Sequence, residues 1–418
     1  MLVFKFGGAS VKDADGLVNL ANVVKRYNSN QLLVVVSAMG KTTNALEKLV
    51  KAYVDGNDDV YSIFDDIKQY HDTILKALFE PLHPVFNEVA NTFVEIDWVI
   101  EDEPHADYDF NYDQIVSIGE LVSTRIVNAY LNNTGINSQW VDVRGYIHTD
   151  NTYREGIVQW EKTKTSIANE IPVLLEKSIM VTQGFLGGTS ENFTTTLGRE
   201  GSDYTAAIFA ACLGAESVTT WKDVPGILNA DPKFFKETVK FDELSYTEAI
   251  EMTYYGASVI HPKTIKPLQN SKIPLLVKPF GDPGAPGTII KENAVNTYVK
   301  PVIILKQNQV LLSVSAKDYS FISENHLSEI FSLFAQNQIK INTMQTSALS
   351  FSVCFDFYEE RFKKLLNLLN QNFNVKYNTG LSLITLRHYS DASLKELTDG
   401  KTVLLEQLSR NTIQLVVR

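Results

Sequence analysis

Residues 32–36 read LLVVV, an unbroken apolar run, and they follow a stretch in which Leu17, Leu20, Ala21 and Val24 recur at helical spacing. A strand with no polar face must be covered on both sides. Strand, amphipathic helix and buried strand in succession therefore predict a mostly parallel sheet with helices on both faces. The first strand of the series, within MLVFKF, carries a single charge, Lys5, and runs directly into Gly7-Gly8 and Ser10, where a helix is expected to start. Glycines let backbone N–H groups approach an anion and a helix N-terminus adds positive potential, so this junction suits a phosphate.

The alternation resumes downstream. Ile115, Ile118, Val122 and Ala129 fall on one helix face, Ile179–Thr182 reads as a strand ending in QGFLGG, and 203–213 reads as a helix. A strand at 217–221, a helix announced by the capping-box spacing of Ser245 and Glu248, and a strand at 275–277 complete the pattern. The segment GDPGAPG at 281–287 breaks regular structure. Beyond it a βαββαβ order emerges: VLLSVSA, a helix near 325–336, IKINTMQTS, FSVCFDF, a helix near 359–371, and FNVKY. That order is ferredoxin-like. The expected organisation is an α/β domain over 1–295 and an α+β region over 300–418, the latter with one full unit at about 305–378 and a truncated second one at about 379–418.

Composition removes several function classes. No apolar segment reaches the roughly 18 residues of a membrane span, and no basic n-region precedes the first strand, so a cytoplasmic location is expected. A net charge of −11 without a Lys/Arg-rich run argues against nucleic acid. The 2 cysteines, Cys212 and Cys354, lie far apart in apolar runs and read as buried thiols. The 7 histidines show no metal-ligand spacing, so no metal site is assigned to the protein and any metal is expected to arrive with the substrate.

Four clusters carry the chemistry. Gly40-Lys41-Thr42 imitates the end of a P-loop, but Val35 stands where that motif needs glycine. Ser37, Thr42 and Thr43 still sit at the C-terminal end of a strand, where open α/β sheets bind ligands. In TLGREGSD, Gly198 and Gly201 allow an irregular backbone, Ser202 and Asp203 suit a helix cap, and Arg199 offers a fork for a carboxylate. Glu120, in an otherwise apolar helix, is either a solvated face residue or an anion placed to hold an ammonium. Asp223 and Asp231 lie in tight turns, and His261-Pro262 opens a helix; each has an equally plain structural reading.

KFGGAS at 5–10, GREGSD at 198–203, KDVPGI at 222–227 and GASVIHP at 256–262, in that order, resemble the motifs of the aspartokinases of the amino-acid kinase superfamily. The C-terminal region is similar to the ACT regulatory domains of those enzymes. The resemblance implies transfer of the γ-phosphoryl group of ATP to the β-carboxylate of L-aspartate, the first step toward lysine, threonine and methionine, with ATP and Mg²⁺ as cofactors. It implies Lys5 and Asp203 as catalytic residues, Lys5 neutralising phosphoryl charge and Asp203 orienting Lys5 or the Mg²⁺ shell, and Gly7, Gly8 and Ser10 as phosphate ligands. Ser37, Thr43, Glu120, Arg199 and Ser202 would bind aspartate, with Arg199 on a carboxylate and Glu120 on the ammonium.

Nucleotide contacts are implied at Lys222, Asp223, Leu228, Lys233, Ser258 and Val259. Here the chain departs from the family: Lys222 replaces a threonine, Leu228 a tyrosine, Lys233 an arginine, Glu200 a glycine and Ser258 a lysine, for which Lys222 or Lys263 could substitute. An effector site is implied at Asn342, Gln345 and Ser347. Asn342 and Ala348 stand where lysine-sensing members carry acids, so threonine or no amino acid is the expected effector. Exposed strand edges in this region imply a homodimer or higher homo-oligomer. Two rival readings are a catalytically silent amino-acid sensor and another kinase of the superfamily.

Overall fold

The computed structural model describes residues 1–27, 31–257, 260–294, 300–318 and 320–418. The chain forms two compact units: Met1–Ile227 with Lys240–Ile250 and Val259–Asn296, and Leu228–Val239 with Glu251–Ser258 and Thr297–Arg418. No helix among the described residues is long and apolar enough to cross a membrane.

The elements up to residue 291 run β1 (Leu2–Phe6), α1 (Ala14–Arg26), β2 (Leu32–Val36), α2 (Thr42–Asp55), α3 (Val60–Leu78), α4 (Val85–Glu101), α5 (Tyr108–Val116) and α6 (Ile118–Asn133). They continue with β3 (Ser138–Val141), α7 (Trp160–Leu175), β4 (Ile179–Gln183), the small hairpin β5 (Leu186–Gly188) and β6 (Thr194–Thr196), α8 (Gly201–Leu213) and β7 (Ser217–Lys222). The last are β8 (Glu243–Ser245), α9 (Tyr246–Tyr255), α10 (Pro262–Asn270), β9 (Leu275–Pro279) and β10 (Thr288–Lys291). Eight strands form one sheet in the order β3-β4-β2-β1-β7-β9-β10-β8. Every pairing in it is parallel except β9 with β10. β2 is buried along its whole length, as its apolar run requires. β1 lies between β2 and β7, and its register sets Lys5 beside Val35 and Thr220.

Three local readings are corrected. Ser10 does not start a helix: it sits inside a 3₁₀ turn over Gly8–Val11, and α1 is capped instead by Asp13, whose carboxylate accepts from Gly16 N. The face drawn through Ile115 to Ala129 spans two helices that meet at Ser117. Ser117 Oγ donates to Gln114 O, the kind of back-bond that bends helices. FNVKY and LSLITLR, read as strands of separate units, are one 15-residue strand.

That strand belongs to the second unit, which runs β11 (Val302–Ala316), α11 (Glu324–Gln336), β12 (Ile341–Thr346), β13 (Phe351–Asp356), α12 (Glu359–Asn372), β14 (Phe373–Arg387), α13 (Asp391–Thr398), β15 (Val403–Leu408) and β16 (Thr412–Val417). The sheet order is β12-β13-β11-β14-β16-β15. Its first four strands have the ferredoxin-like arrangement, with Val310, Leu312, Phe334, Phe355, Leu365 and Leu369 buried between sheet and helices. The last part of β14, with α13, β15 and β16, gains a further strand from 302–306, the start of β11, ahead of an irregularity between Lys306 and Leu311. Thr343 on edge strand β12 donates to Gln407 on edge strand β15. In a flat sheet those edges would be about 24 Å apart, so the sheet curls until its edges meet.

Candidate active site

Within the first unit, the loops after β1, β2, β4 and β7 and the N-terminus of α8 meet at the C-terminal edge of the parallel strands. Backbone bonds tie them together. Ser37 N donates to Phe6 O, Gly40 N to Gly8 O, and Gly184 N to Val36 O. The approach is close enough to require glycine: a Cβ on Gly8 would lie 2.6 Å from Ala38 O and 3.0 Å from Gly40 O. A Cβ on Gly184 would lie 2.6 Å from the hydroxyl of Ser202, so the turn after β4 sits directly on the start of α8.

Lys5 and Asp203 form the centre, at 7% and 4% exposure. Lys5 Nζ donates to Asp203 Oδ2 at 3.1 Å, and Thr220 Oγ1 donates to Asp203 Oδ1 at 3.2 Å. Burial alone would raise the Asp203 carboxyl; the Lys5 and Lys222 ammonium groups and these two bonds hold it below the usual carboxylate range. Asp203 is thus an anion committed to fixing Lys5. The backbone of Gly7 runs close by, with Lys5 Nζ 3.6 Å from where its side chain would begin. Ser10 is buried and its hydroxyl donates to Trp221 O, which ties the turn to β7.

Glu120 resolves its two readings: it is buried, at 2% exposure, in the first turn of α6. Oε1 accepts from Ala38 N at 3.2 Å, while the buried Oε2 has no hydrogen-bond partner among the described residues. Burial pushes the carboxyl up to about 8, against the Ala38 bond and the Lys5 charge, which pull it down. A buried carboxylate oxygen left unpaired costs free energy that a cationic group placed there would recover. Ser37 is half-buried, its carbonyl held by Ser123 Oγ, and Thr43 lies in the first turn of α2. Arg199 is exposed on the loop before α8 and makes no ion pair among the described residues. This edge therefore brings together a buried ammonium–carboxylate pair and a buried carboxyl with one oxygen unpaired.

Asp223 is exposed just past β7. Leu228 and Lys233 fall in the segment Leu228–Val239 of the second unit, and Ser258 and Val259 lie outside the described residues. In the second unit Asn342 is engaged on both sides: its Oδ1 accepts from Lys306 Nζ and its Nδ2 donates to Gln309 Oε1, each at 2.8 Å. Gln345 and Ser347 are exposed, the latter bonded to Ser350.

Sequence reasoning missed three contributors. Thr220 grips the second oxygen of Asp203, and only strand register reveals it. Phe185, in QGF, has a left-handed backbone at φ 73 and donates its N–H to Thr205 Oγ1, a conformation that marks strained sites and that glycine normally supplies. Asp113 is fully buried and accepts from Arg154 N, Thr196 N and Thr196 Oγ1, bracing the strand that leads to Arg199; burial raises its carboxyl to about 6.

Residues 1–279 match the model of the amino acid kinase family. The lysine-sensitive aspartokinase 3 of Escherichia coli is 32% identical over 393 residues, 92% of this chain and 86% of the relative. The chain belongs to the aspartokinases of the amino acid kinase family. Aspartokinase 1, chloroplastic, of Arabidopsis thaliana is 33% identical over 85% of this chain, which spans 63% of that protein. Solved structures of Escherichia coli aspartokinase III, one with lysine and aspartate and one with aspartate and ADP, each superpose with a TM-score of 0.84 at 29% identity over 100% of this chain.

Proposed function

We propose that this chain transfers the γ-phosphoryl group of ATP to the β-carboxylate of L-aspartate, giving ADP and 4-phospho-L-aspartate. The observation that carries the reading is the buried Glu120 Oε2, unpaired in the free protein and matched to an amino acid's ammonium group. Arg199 takes a substrate carboxylate in its planar fork, with Ser37, Thr43 and Ser202 completing the polar wall. The attacking β-carboxylate, with an ordinary pKa of about 3.9, is already ionised at neutral pH, so no base is needed. Lys5 offsets charge on the transferring group, Gly7 and Gly8 supply backbone N–H donors, and Asp203 holds Lys5 in place. Catalysis is positioning and charge neutralisation.

Among the described residues no three His, Cys, Asp or Glu side chains converge into a metal site. Mg²⁺ enters as the counter-ion of ATP, where it would supply charge neutralisation on the phosphates. The C-terminal region acts as an ACT-type regulatory region that assembles as a homodimer, and the enzyme serves lysine, threonine and methionine synthesis in the cytoplasm. Engagement of Asn342 by Lys306 supports an effector other than lysine at Asn342, Gln345 and Ser347.

The test is incubation with Mg-ATP, L-aspartate and hydroxylamine, which traps acyl phosphates as hydroxamates. The expected product is aspartyl hydroxamate. Hydroxamate with L-glutamate but not with L-aspartate would move the substrate, and none with either would leave the silent-sensor reading.

A further inference from the structure

Asp113 on α5 is wholly buried, at 0% exposure, and the reaction steps above leave it unused. Burying a carboxylate costs stability unless hydrogen bonds offset it, so the donors around it show what it holds. It accepts three bonds. Arg154 N donates to Oδ2 at 2.8 Å, Thr196 N to the same oxygen at 2.9 Å, and Thr196 Oγ1 to Oδ1 at 2.7 Å. One side chain thereby joins α5, the loop through Arg154 and β6.

Both partners bear on Arg199. Thr196 ends β6 just ahead of it, buried, with its carbonyl accepting from Gly156 N. Leu197 N then donates to Phe185 O, and Gly198 turns at φ 76 with Arg154 O 3.3 Å from where its Cβ would sit. Arg154 itself has a left-handed backbone at φ 64, which a non-glycine residue keeps only where its surroundings fix it. Gln114, beside Asp113, grips the start of β6: its Oε1 accepts from Thr194 N and its Nε2 donates to Thr194 O. At its other end α5 meets α6 at Ser117, and Glu120 stands in the first turn of α6. The helix therefore connects the backbone that bears Arg199 with the backbone that bears Glu120.

We propose that Asp113 is a positioning residue for aspartate binding, holding β6 and the Arg154 loop so that Arg199 is set for a substrate carboxylate while Glu120 takes the ammonium. This rests on the kinase reading above. The charge matters, because a bond to an ionised acceptor is about twice as strong as one to a neutral acceptor. Burial is the largest influence on that charge and raises the carboxyl to about 6; the bonds from Arg154 and Thr196 pull it down, and Asp109, one turn earlier on α5, pushes it up. The Arg154 guanidinium is engaged with Asp109, and Glu47 of α2 accepts from the Tyr112 hydroxyl. The phenols of Tyr112 and Tyr153 are held above the ordinary tyrosine range, so both stay neutral where Asp113 titrates.

Asp113→Asn keeps the size and removes the charge. At about pH 8 it is expected to raise the KM for aspartate about 10-fold, with kcat lowered less than about threefold and the KM for ATP within about twofold of wild type. Thr196→Val, which removes only the hydroxyl bond, should raise the KM for aspartate about threefold, and Thr196→Ser should restore it. This second pair carries the test by itself if Asp113→Asn does not fold. The wild-type advantage over Asp113→Asn in kcat/KM for aspartate should hold steady from about pH 7 to about pH 9 and shrink below about pH 6, where the wild-type carboxyl is as uncharged as the amide. Glu120 is common to both proteins and cancels in this ratio. An unchanged KM for aspartate in Asp113→Asn, equal rises in both KM values, a ratio independent of pH, or Thr196→Ser binding aspartate no better than Thr196→Val would overturn the proposal. A wild type that makes no acyl phosphate from aspartate would instead sink the kinase reading.

Discussion

Lys5 Nζ and Asp203 Oδ2 lie 3.1 Å apart with both side chains almost wholly shielded from water, and Thr220 holds the other oxygen of the same carboxylate. Strand register makes this possible: Lys5 and Thr220 are neighbours on β1 and β7, and α8 lowers Asp203 onto both. A buried ammonium fixed in this way is pre-aimed at the strand end, which is the condition for stabilising charge that develops only during transfer.

Asp203→Asn leaves that ammonium without its counter-charge. Breaking one side of a buried pair typically costs about 3–5 kcal/mol, so a lower melting temperature at neutral pH is expected together with a large fall in kcat. Because the folded carboxyl sits below its ordinary value of 3.8, its contribution is present above that pH and is lost as pH falls through the lower folded value. The stability gap between wild type and variant should therefore narrow below about pH 4, as melting curves across the acid range would show. A gap independent of pH would contradict the pairing.

Glu120 gives the opposite sign. With its carboxyl raised to about 8 it is largely protonated in the free protein at neutral pH, and it must ionise to meet an ammonium. The value of kcat/KM for aspartate should rise from about pH 7 to about pH 9. In Glu120→Gln that rise should vanish and the KM for aspartate should increase by about 10- to 100-fold, with the KM for ATP little changed. A wild-type profile flat over this interval would count against the assignment.

Gly8 tolerates no side chain, since the atoms a Cβ would meet are the backbone oxygens of Ala38 and Gly40. Gly8→Ala should destabilise by about 1–3 kcal/mol and depress activity, because the displaced loops carry Gly7 and Ser37. Gly145→Ala, with open space around the added methyl, is the matched control and should fall within about 0.5 kcal/mol of wild type in denaturant titrations.

Asn342 already accepts a bond from the chain's own Lys306 and carries no charge to attract another ammonium. Added L-lysine should leave the kinase rate unchanged at concentrations that saturate the substrates. Inhibition by lysine, relieved in an Asn342→Ala variant, would show that the site reads lysine without an acid.

Much of the fold was legible because burial imposes itself on local sequence. The LLVVV run could only be an interior parallel strand, and βαββαβ spacing alone outlined the first part of the second unit. Motifs with special chemistry drew attention to Lys5, Gly8 and Asp203, which the fold brings to one strand edge, whereas Glu120 stayed open between a solvated and a functional reading, and the structure shows only that it is buried. Long-range register was not legible. Nothing in SVTTWK says that Thr220 rather than Thr219 faces Asp203, and nothing local joins FNVKY to LSLITLR or sends 302–306 to the far side of the second sheet. α3 and α4 went unassigned although Gly56-Asn57-Asp58-Asp59 and Pro81 with Pro84 punctuate the chain ahead of them.

The most direct measurement is steady-state kinetics of Lys5→Met, with acyl phosphate trapped by hydroxylamine. If Lys5 acts on charge that develops during phosphoryl transfer, kcat falls by about 100- to 1,000-fold while the KM values for ATP and aspartate shift only a few-fold. A loss confined to KM with kcat intact would make Lys5 a ground-state ligand and contradict the account.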